Sequence, residues 1–299
     1  MPSDRFSYSR LQLFDQCLAK YRFIYLDGRP AGGESIESYL GGRLHEALEW
    51  LYRERRTGRN ILFDDLLNQY RSLWKEAWHG NIHIIRTGWQ TDDYYQLGQR
   101  CLAGFYRRHA PFDEPVDGTE RIISFTLDRD GLPGQGPPGQ GLPGTPRGSG
   151  LPVAGTARVQ GQDGCIMTAI LDRLDQHGQG WWSIHDYKSG RKMLTPSQAE
   201  KDLQMKVYYL ALVKTLENTE RVDVVWHFLR HDREVVLEQV QWNPQRIVTM
   251  LEKRVEKIRE REAQPRTLQP RESPLCNWCY YWDVCPAKAG QTRPARLAK

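Results

Sequence analysis

The sequence lacks an uninterrupted apolar run of about 18 residues, which excludes a helical membrane span of ordinary length. Met1-Pro2-Ser3-Asp4-Arg5 lacks the apolar stretch of a secretory leader, so a cytoplasmic location without membrane contact is expected. No Walker A lysine motif occurs, which argues against a nucleotide-driven motor within the chain. Charge of one sign barely dominates: the formal net charge of +5 is shared by many proteins of this size that bind no polyanion. Glycine never keeps a strict period of three, so a collagen-type helix is excluded. This holds even over 131–152, where 14 of 22 residues are Gly or Pro and a flexible insertion in a surface loop is expected. What remains is ordinary for a globular protein. With 299 residues, 39% of them hydrophobic and 26% charged, the chain can bury one or two cores.

The front of the chain reads as helical. Ser9 is a candidate cap for a first helix carrying Leu11, Leu13, Phe14, Cys17, Leu18, Tyr21 and Phe23. Gly41-Gly42 precede a second helical pattern over 44–52, and apolar residues recur at three- and four-residue spacing over 65–78 and 92–109. Strand signals begin at 121–127 and continue at 165–174 and 181–188, the last two separated by the hairpin-like His177-Gly178-Gln179-Gly180. Thr195-Pro196 marks a helix start with a hydroxyl cap, and the helix is expected to run to about 216. Strands over 222–229 and 235–240 and a charged helix over 244–262 follow. The expected class is α/β, a mixed sheet core flanked by helices and entered through a helical N-terminal region.

Two acids and a lysine fall on neighbouring strands. Period-two alternation puts Ile166, Thr168, Ile170 and Asp172 on one face, and Trp182, Ile184, Asp186 and Lys188 on one face of the next strand. An isolated Asp–Lys pair is a salt bridge about as often as a site. A second carboxylate changes the balance, because two carboxylates repel unless a cation lies between them, and Mg²⁺ or Mn²⁺ prefers oxygen ligands. A divalent ion there can activate water and screen charge building on a phosphate, with Lys188 orienting the water or the phosphoryl oxygens.

With these residues in place, the sequence resembles the PD-(D/E)XK nucleases of the RecB-type exonuclease group, including CRISPR-associated members with an iron–sulfur cluster. Asp172 matches the first acidic position and Asp186-Tyr187-Lys188 the D/E-x-K element. The resemblance implies a restriction-endonuclease-like fold. It also implies that Asp172, Asp186 and the Tyr187 carbonyl bind the catalytic metal while Lys188 assists the water. Ile170-Leu171 stand where many relatives have a glycine nearby. Gly41 and His45 fit a G-x-x-x-H motif whose histidine is a metal ligand in that group. Gln204 and Tyr208, four apart on one helical face, fit its Q-x-x-x-Y motif and are expected to contact DNA or support the active site. Outside the family, His45 reads as a packed or surface histidine and Tyr208 as core.

Cys276, Cys279 and Cys285 are crowded into ten residues and need a fourth ligand, with zinc and [4Fe–4S] both open on spacing alone. Cys17 lies in a segment similar to the one carrying the lone cluster cysteine in the iron–sulfur relatives. The resemblance therefore implies a [4Fe–4S] cluster on Cys17, Cys276, Cys279 and Cys285, clasping the two ends of the chain. Cys101 and Cys165 read as core thiols.

The expected organisation is a helical region over 1–115 contributing Cys17 and His45, a nuclease core over 116–262, and a cysteine-rich segment over 263–299 that packs back on the front. The basic residues Arg254, Lys257, Arg259, Arg261, Arg266 and Arg271, with Arg293, Arg296 and Lys299, read either as DNA contacts or as solvated surface. Expected partners are DNA and a helicase, repair or CRISPR protein. The expected function is a metal-dependent DNA exonuclease acting at single-stranded or frayed ends. The alternative is a non-cutting DNA-end-binding or assembly subunit, for which the acidic residues have no use.

Overall fold

A computed structural model describes residues 4–128, 132 and 165–298. The Gly/Pro-rich insertion expected at 131–152 therefore lies, Leu132 apart, outside the described residues. In chain order the elements are β1 (Arg5–Ser7), α1 (Tyr8–Gln16), α2 (Leu18–Tyr25), β2 (Glu34–Ser35), α3 (Ile36–Arg56), α4 (Phe63–Glu76), β3 (Ile82–Ile84), α5 (Thr91–His109) and β4 (Val116–Leu127). They continue with β5 (Cys165–Gly178), β6 (Trp181–Lys188), α6 (Pro196–Ala199), α7 (Leu203–Thr215), β7 (Arg221–Phe228), β8 (Arg233–Leu237), α8 (Pro244–Glu262) and β9 (Arg296–Leu297). None of the helices is long and apolar enough to cross a membrane, among the described residues.

The main sheet is mixed. It runs β1-β5-β6-β7-β8, with β4 along the other edge of β5. β5 and β6 form the expected antiparallel hairpin, whereas β6 and β7 are parallel and joined by a crossover through α6 and α7. Both faces of β6 and β7 are buried, and alternation decides which core each side chain enters. Trp182, Ile184, Val222, Val224, Trp226 and Phe228 meet Met205, Leu210, Ile247, Leu251 and Val255 from α7 and α8. Tyr187 points the other way, into a second core with Leu44, Leu48 and Leu51 of α3 and Leu102 and Phe105 of α5. The mixed sheet flanked by helices is the class that the sequence predicts. A small sheet, β2-β3-β9, ties the end of the chain to the front helices.

Several local expectations change. The first helix begins at the Ser7 cap, whose Oγ accepts from the Arg10 N–H at 3.2 Å, and not at Ser9. It breaks at Cys17, which is extended at φ −159° and ψ 112°. The helix expected to run to 216 is two helices, because Asp202 caps a new one by accepting from the Met205 N–H at 3.1 Å. Gly41 and Gly42 lie inside α3 and do not precede it.

The strand face predicted for Asp172 also needs revision. Ile170 is 46% exposed, so the even positions up to 170 lie on the outer face of β5 while Met167, Ala169 and Leu171 enter the core. Leu174 enters the same core as Leu171, which strict alternation forbids. The pleat slips at Asp172–Arg173, opposite Glu120 of β4, whose φ is +45°. Every residue from Leu171 to Asp175 is consequently buried.

The iron–sulfur clasp is not supported. Tyr281 of the C-terminal segment meets α2 and the residues after it through ring packing and a hydrogen bond. Phe23 and Tyr281 rings lie 5.2 Å apart, and the Tyr281 hydroxyl donates to the Arg29 carbonyl at 2.6 Å. Cys17, Cys276, Cys279 and Cys285 are free thiols that line one apolar cavity. Among the described residues, the side-chain groups gathered within 4.8 Å in a metal-holding arrangement consist of His, Asp and Glu and include no cysteine. The family resemblance implied a [4Fe–4S] cluster on these four cysteines, but the sulfur atoms do not gather as ligands do.

Candidate active site

Asp172 is held from two sides. Its Oδ2 accepts from the Tyr187 backbone N–H at 2.7 Å, and its Oδ1 lies 3.4 Å from His45 Nδ1. His45 Nε2 in turn meets the Tyr187 carbonyl at 2.8 Å. One imidazole thus bridges the carboxylate and the carbonyl assigned above to a metal. Glu120 completes a group with His45 and Asp172 whose ligand atoms lie within 4.8 Å of one another.

Gly41 explains how α3 comes so close. A Cβ there would lie 3.0 Å from Ser189 Oγ, just beyond the end of β6. His45 follows one helical turn later on the same face, so the close approach at Gly41 delivers the imidazole to Asp172.

Asp186 belongs to a neighbouring set. Its Oδ2 lies 2.7 Å from Lys188 Nζ, and its Oδ1 accepts from Gln204 Nε2 at 2.8 Å. Gln204 uses its whole amide: Oε1 accepts from Lys188 at 2.8 Å, while Nε2 also donates to the Tyr208 hydroxyl at 2.8 Å. The sequence-predicted residues therefore fall into two adjoining groups, His45/Asp172/Tyr187 and Asp186/Lys188/Gln204/Tyr208. Asp186 is not part of the group formed by His45, Glu120 and Asp172.

Electrostatics couple the two groups. Burial and the charge of Asp172 hold the Glu120 proton up to about 7. Burial raises Asp186 above the carboxylate range, with Lys188 opposing and Asp172 reinforcing the shift. Burial disfavours the charged His45, yet hydrogen bonding to Asp172 and the surrounding carboxylates outweigh it and raise the imidazole to about 9. Lys188 is held above its ordinary range because Asp186 outweighs its burial. Three carboxylates near one point are stabilised by positive charge, which His45 and Lys188 supply here. A donor set of carboxylates, imidazole and a carbonyl fits a divalent cation.

Glu120 was missed by the sequence reading, since the expected strand began at 121. No apolar alternation marks it in the sequence; its place beside Asp172 comes from the pairing of β4 with β5, which sets Thr119 opposite Arg173 and Arg121 opposite Leu171. The basic residues are less available for DNA than their number implies. Arg254 pairs with Asp15, Arg259 with Asp4 at 3.0 Å, and Arg293 donates to the Cys279 carbonyl at 3.1 Å.

A search of curated proteins finds no match. Among solved structures, "Crystal structure of SSO0001" is similar over 81% of this chain and 96% of that one, at 14% identity and a TM-score of 0.31. The family profile described as the PD-(D/E)XK nuclease superfamily matches residues 5–286, nearly the full sequence. The chain belongs to the PD-(D/E)XK nuclease superfamily.

Proposed function

We propose that the protein is a metal-dependent DNA exonuclease of the RecB-type group, hydrolysing phosphodiester bonds at single-stranded or frayed ends. The observation that carries the reading is the gathering of Glu120, Asp172 and His45, beside the neighbouring Asp186–Lys188 pair. Three carboxylates repel a phosphate unless a cation intervenes, so a phosphodiester can approach only when positive charge is added. A bound divalent cation supplies that charge and Lewis acidity. Asp172, Glu120, His45 and the Tyr187 carbonyl would hold it, with Asp186 at the edge. Lys188 donates to the attacking water or to a phosphoryl oxygen, and Gln204 keeps its ammonium beside Asp186. Tyr208 accepts from Gln204 and keeps its own proton for a phosphate or base partner.

Labelled single- and double-stranded DNA incubated with Mn²⁺ tests the reading, beside Asp186→Ala. Shortening from the ends that disappears in the variant is the expected result. Binding without cleavage by the unaltered chain would instead favour a DNA-end-binding subunit, the reading that leaves three carboxylates without a purpose.

The role of Gly41 gives a graded test. Gly41→Ala needs only a rotation of the Ser189 hydroxyl, so cleavage stays close to that of the parent. Gly41→Val pushes α3 outward, and cleavage is expected to fall roughly 10–100-fold as His45 leaves Asp172. Its overpacking cost is about 1–3 kcal/mol, read from the urea midpoint. Equal activity in both variants would remove His45 from the site.

A further inference from the structure

A second polar cluster lies behind Tyr187, whose ring is 5.8 Å from His45 on one side and 5.3 Å from His227 on the other. It is built from His109 at the end of α5, His185 in β6, His227 in β7 and Glu234 in β8. Counting its protons shows a deficit. Arg173, which keeps its protons at any physiological pH, donates from Nη2 to His185 Nδ1 at 2.9 Å. His185 Nε2 faces Asp175 Oδ2 at 3.1 Å, with Ser183 Oγ at 3.0 Å and Arg173 Nη2 at 3.3 Å. The carboxylate, which can only accept, draws the ring proton to this nitrogen. His185 Nδ1 is therefore an acceptor, and it also lies 2.9 Å from His227 Nε2. His227 must carry its proton on Nε2, which leaves the Nδ1 lone pair 3.0 Å from Glu234 Oε1. Two acceptors face each other in a place where His227 is only 1% exposed.

The same oxygen meets a third group. His109 Nδ1 is 2.9 Å from Glu114 Oε1, and its Nε2 is 2.9 Å from Glu234 Oε1. A neutral His109 has one ring proton for these two carboxylate oxygens, so one of its nitrogens aims a lone pair at a carboxylate. Arg108 Nη1 approaches Glu234 at 3.6 Å from outside, but its other nitrogen is paired with Asp232 at 2.6 Å. Satisfying the cluster takes either two additional protons, on His109 and His227, or one dication.

We propose that His109 Nε2, His227 Nδ1 and Glu234 bind a second divalent metal ion, of the zinc class, separate from the nuclease centre. Their ligand atoms already lie within 4.8 Å of one another. Two imidazoles and a carboxylate suit zinc. Each histidine has its distal nitrogen oriented by a neighbour, Glu114 for His109 and His185 for His227, as metal-bound histidines ordinarily do. The ion is structural in this position. It fastens α5 to β7 and β8 and supports Tyr187, which lies opposite His227 in the sheet register and carries the carbonyl that His45 touches.

The test uses the full chain, stripped with a chelator, labelled with ¹⁵N-histidine and carrying Asp172→Asn to weaken the nuclease centre. On adding Zn²⁺, His227 Nδ1 and His109 Nε2 are expected to shift to metal-bound positions with a single equivalent retained after gel filtration. Glu234→Gln and His227→Asn are each expected to lose that equivalent. Co²⁺ in place of Zn²⁺ separates this site from the thiols, because binding here gives no thiolate charge-transfer band. His227 protonated on both nitrogens at neutral pH and unmoved by Zn²⁺ would overturn the proposal, as would full retention of the metal by Glu234→Gln. The nitrogen shifts of the unsubstituted ligand set decide the matter even if those variants fail to fold.

Discussion

Replacing Lys188 with methionine is expected to lower DNA cleavage by about 10²–10³-fold, the usual loss for a donor aimed at developing charge. The side chain keeps its length and apolar stem, so Gln204 and Tyr208 can stay in place while the ammonium is lost. A second consequence has a definite sign. Asp186 is 1% exposed, and its proton affinity is already raised by burial against the opposing charge of Lys188. Without Lys188 the folded-state pKa rises further above the unfolded value of about 3.9. A carboxyl whose folded pKa is raised is protonated in the folded state while the unfolded chain has already released its proton. Stability is therefore lost as pH climbs through that interval.

In metal-free buffer, the melting temperature of Lys188→Met should accordingly fall more steeply than that of the parent between about pH 4 and pH 7. Adding Asp186→Asn removes the titrating group, and the double variant should regain a flatter profile without regaining cleavage. A parallel pH profile in parent and single variant would mean that Lys188 does not compensate Asp186. Retained cleavage in the single variant would remove the lysine from the chemistry altogether.

How far the site was legible follows from the kind of signal each residue carries. Asp186 and Lys188 pair at 2.7 Å because period-two alternation puts i and i+2 on one strand face. Asp172 meets the Tyr187 N–H although counting misjudged its strand face. Gln204 and Tyr208 were readable from helical spacing, and their shared hydrogen bond is the physical content of that spacing. Glu120 was not, because β4 begins at Val116 and the apolar signal for it begins only at Arg121. The slip of the pleat at Asp172–Arg173 was equally invisible, since counting assumes an unbroken period. The cysteines failed for a related reason: crowding in sequence gives no distance between sulfur atoms. Least legible was the buried polar layer of Arg173, Asp175, His185 and His227. Hydropathy patterns treat such residues as surface, whereas mutual pairing lets them occupy the interior.

That layer carries the second large expectation. Arg173→Leu should destabilise the fold by about 3–5 kcal/mol, the cost of leaving one partner of a buried ion pair alone. The guanidinium is 1% exposed, lies 3.1 Å from Asp175 Oδ1 and 4.4 Å over the Tyr52 ring, and donates to His185. Asp175 is equally buried, and desolvation raises its pKa even with Arg173 beside it. Losing the arginine leaves that carboxylate with His185 as its near cation-capable partner, at 3.1 Å. The penalty should thus be greatest above the raised folded-state pKa and shrink as pH falls from there toward about 4, because in that interval the buried carboxyl is protonated while the unfolded chain is not. Asp175→Asn in the same chain removes the stranded charge, so the double variant should recover much of the loss. Urea unfolding of the parent, both single variants and the double variant measures the coupling directly. Additive losses would show that Arg173 acts through its packing on Tyr52, and that the ionic pairing contributes little.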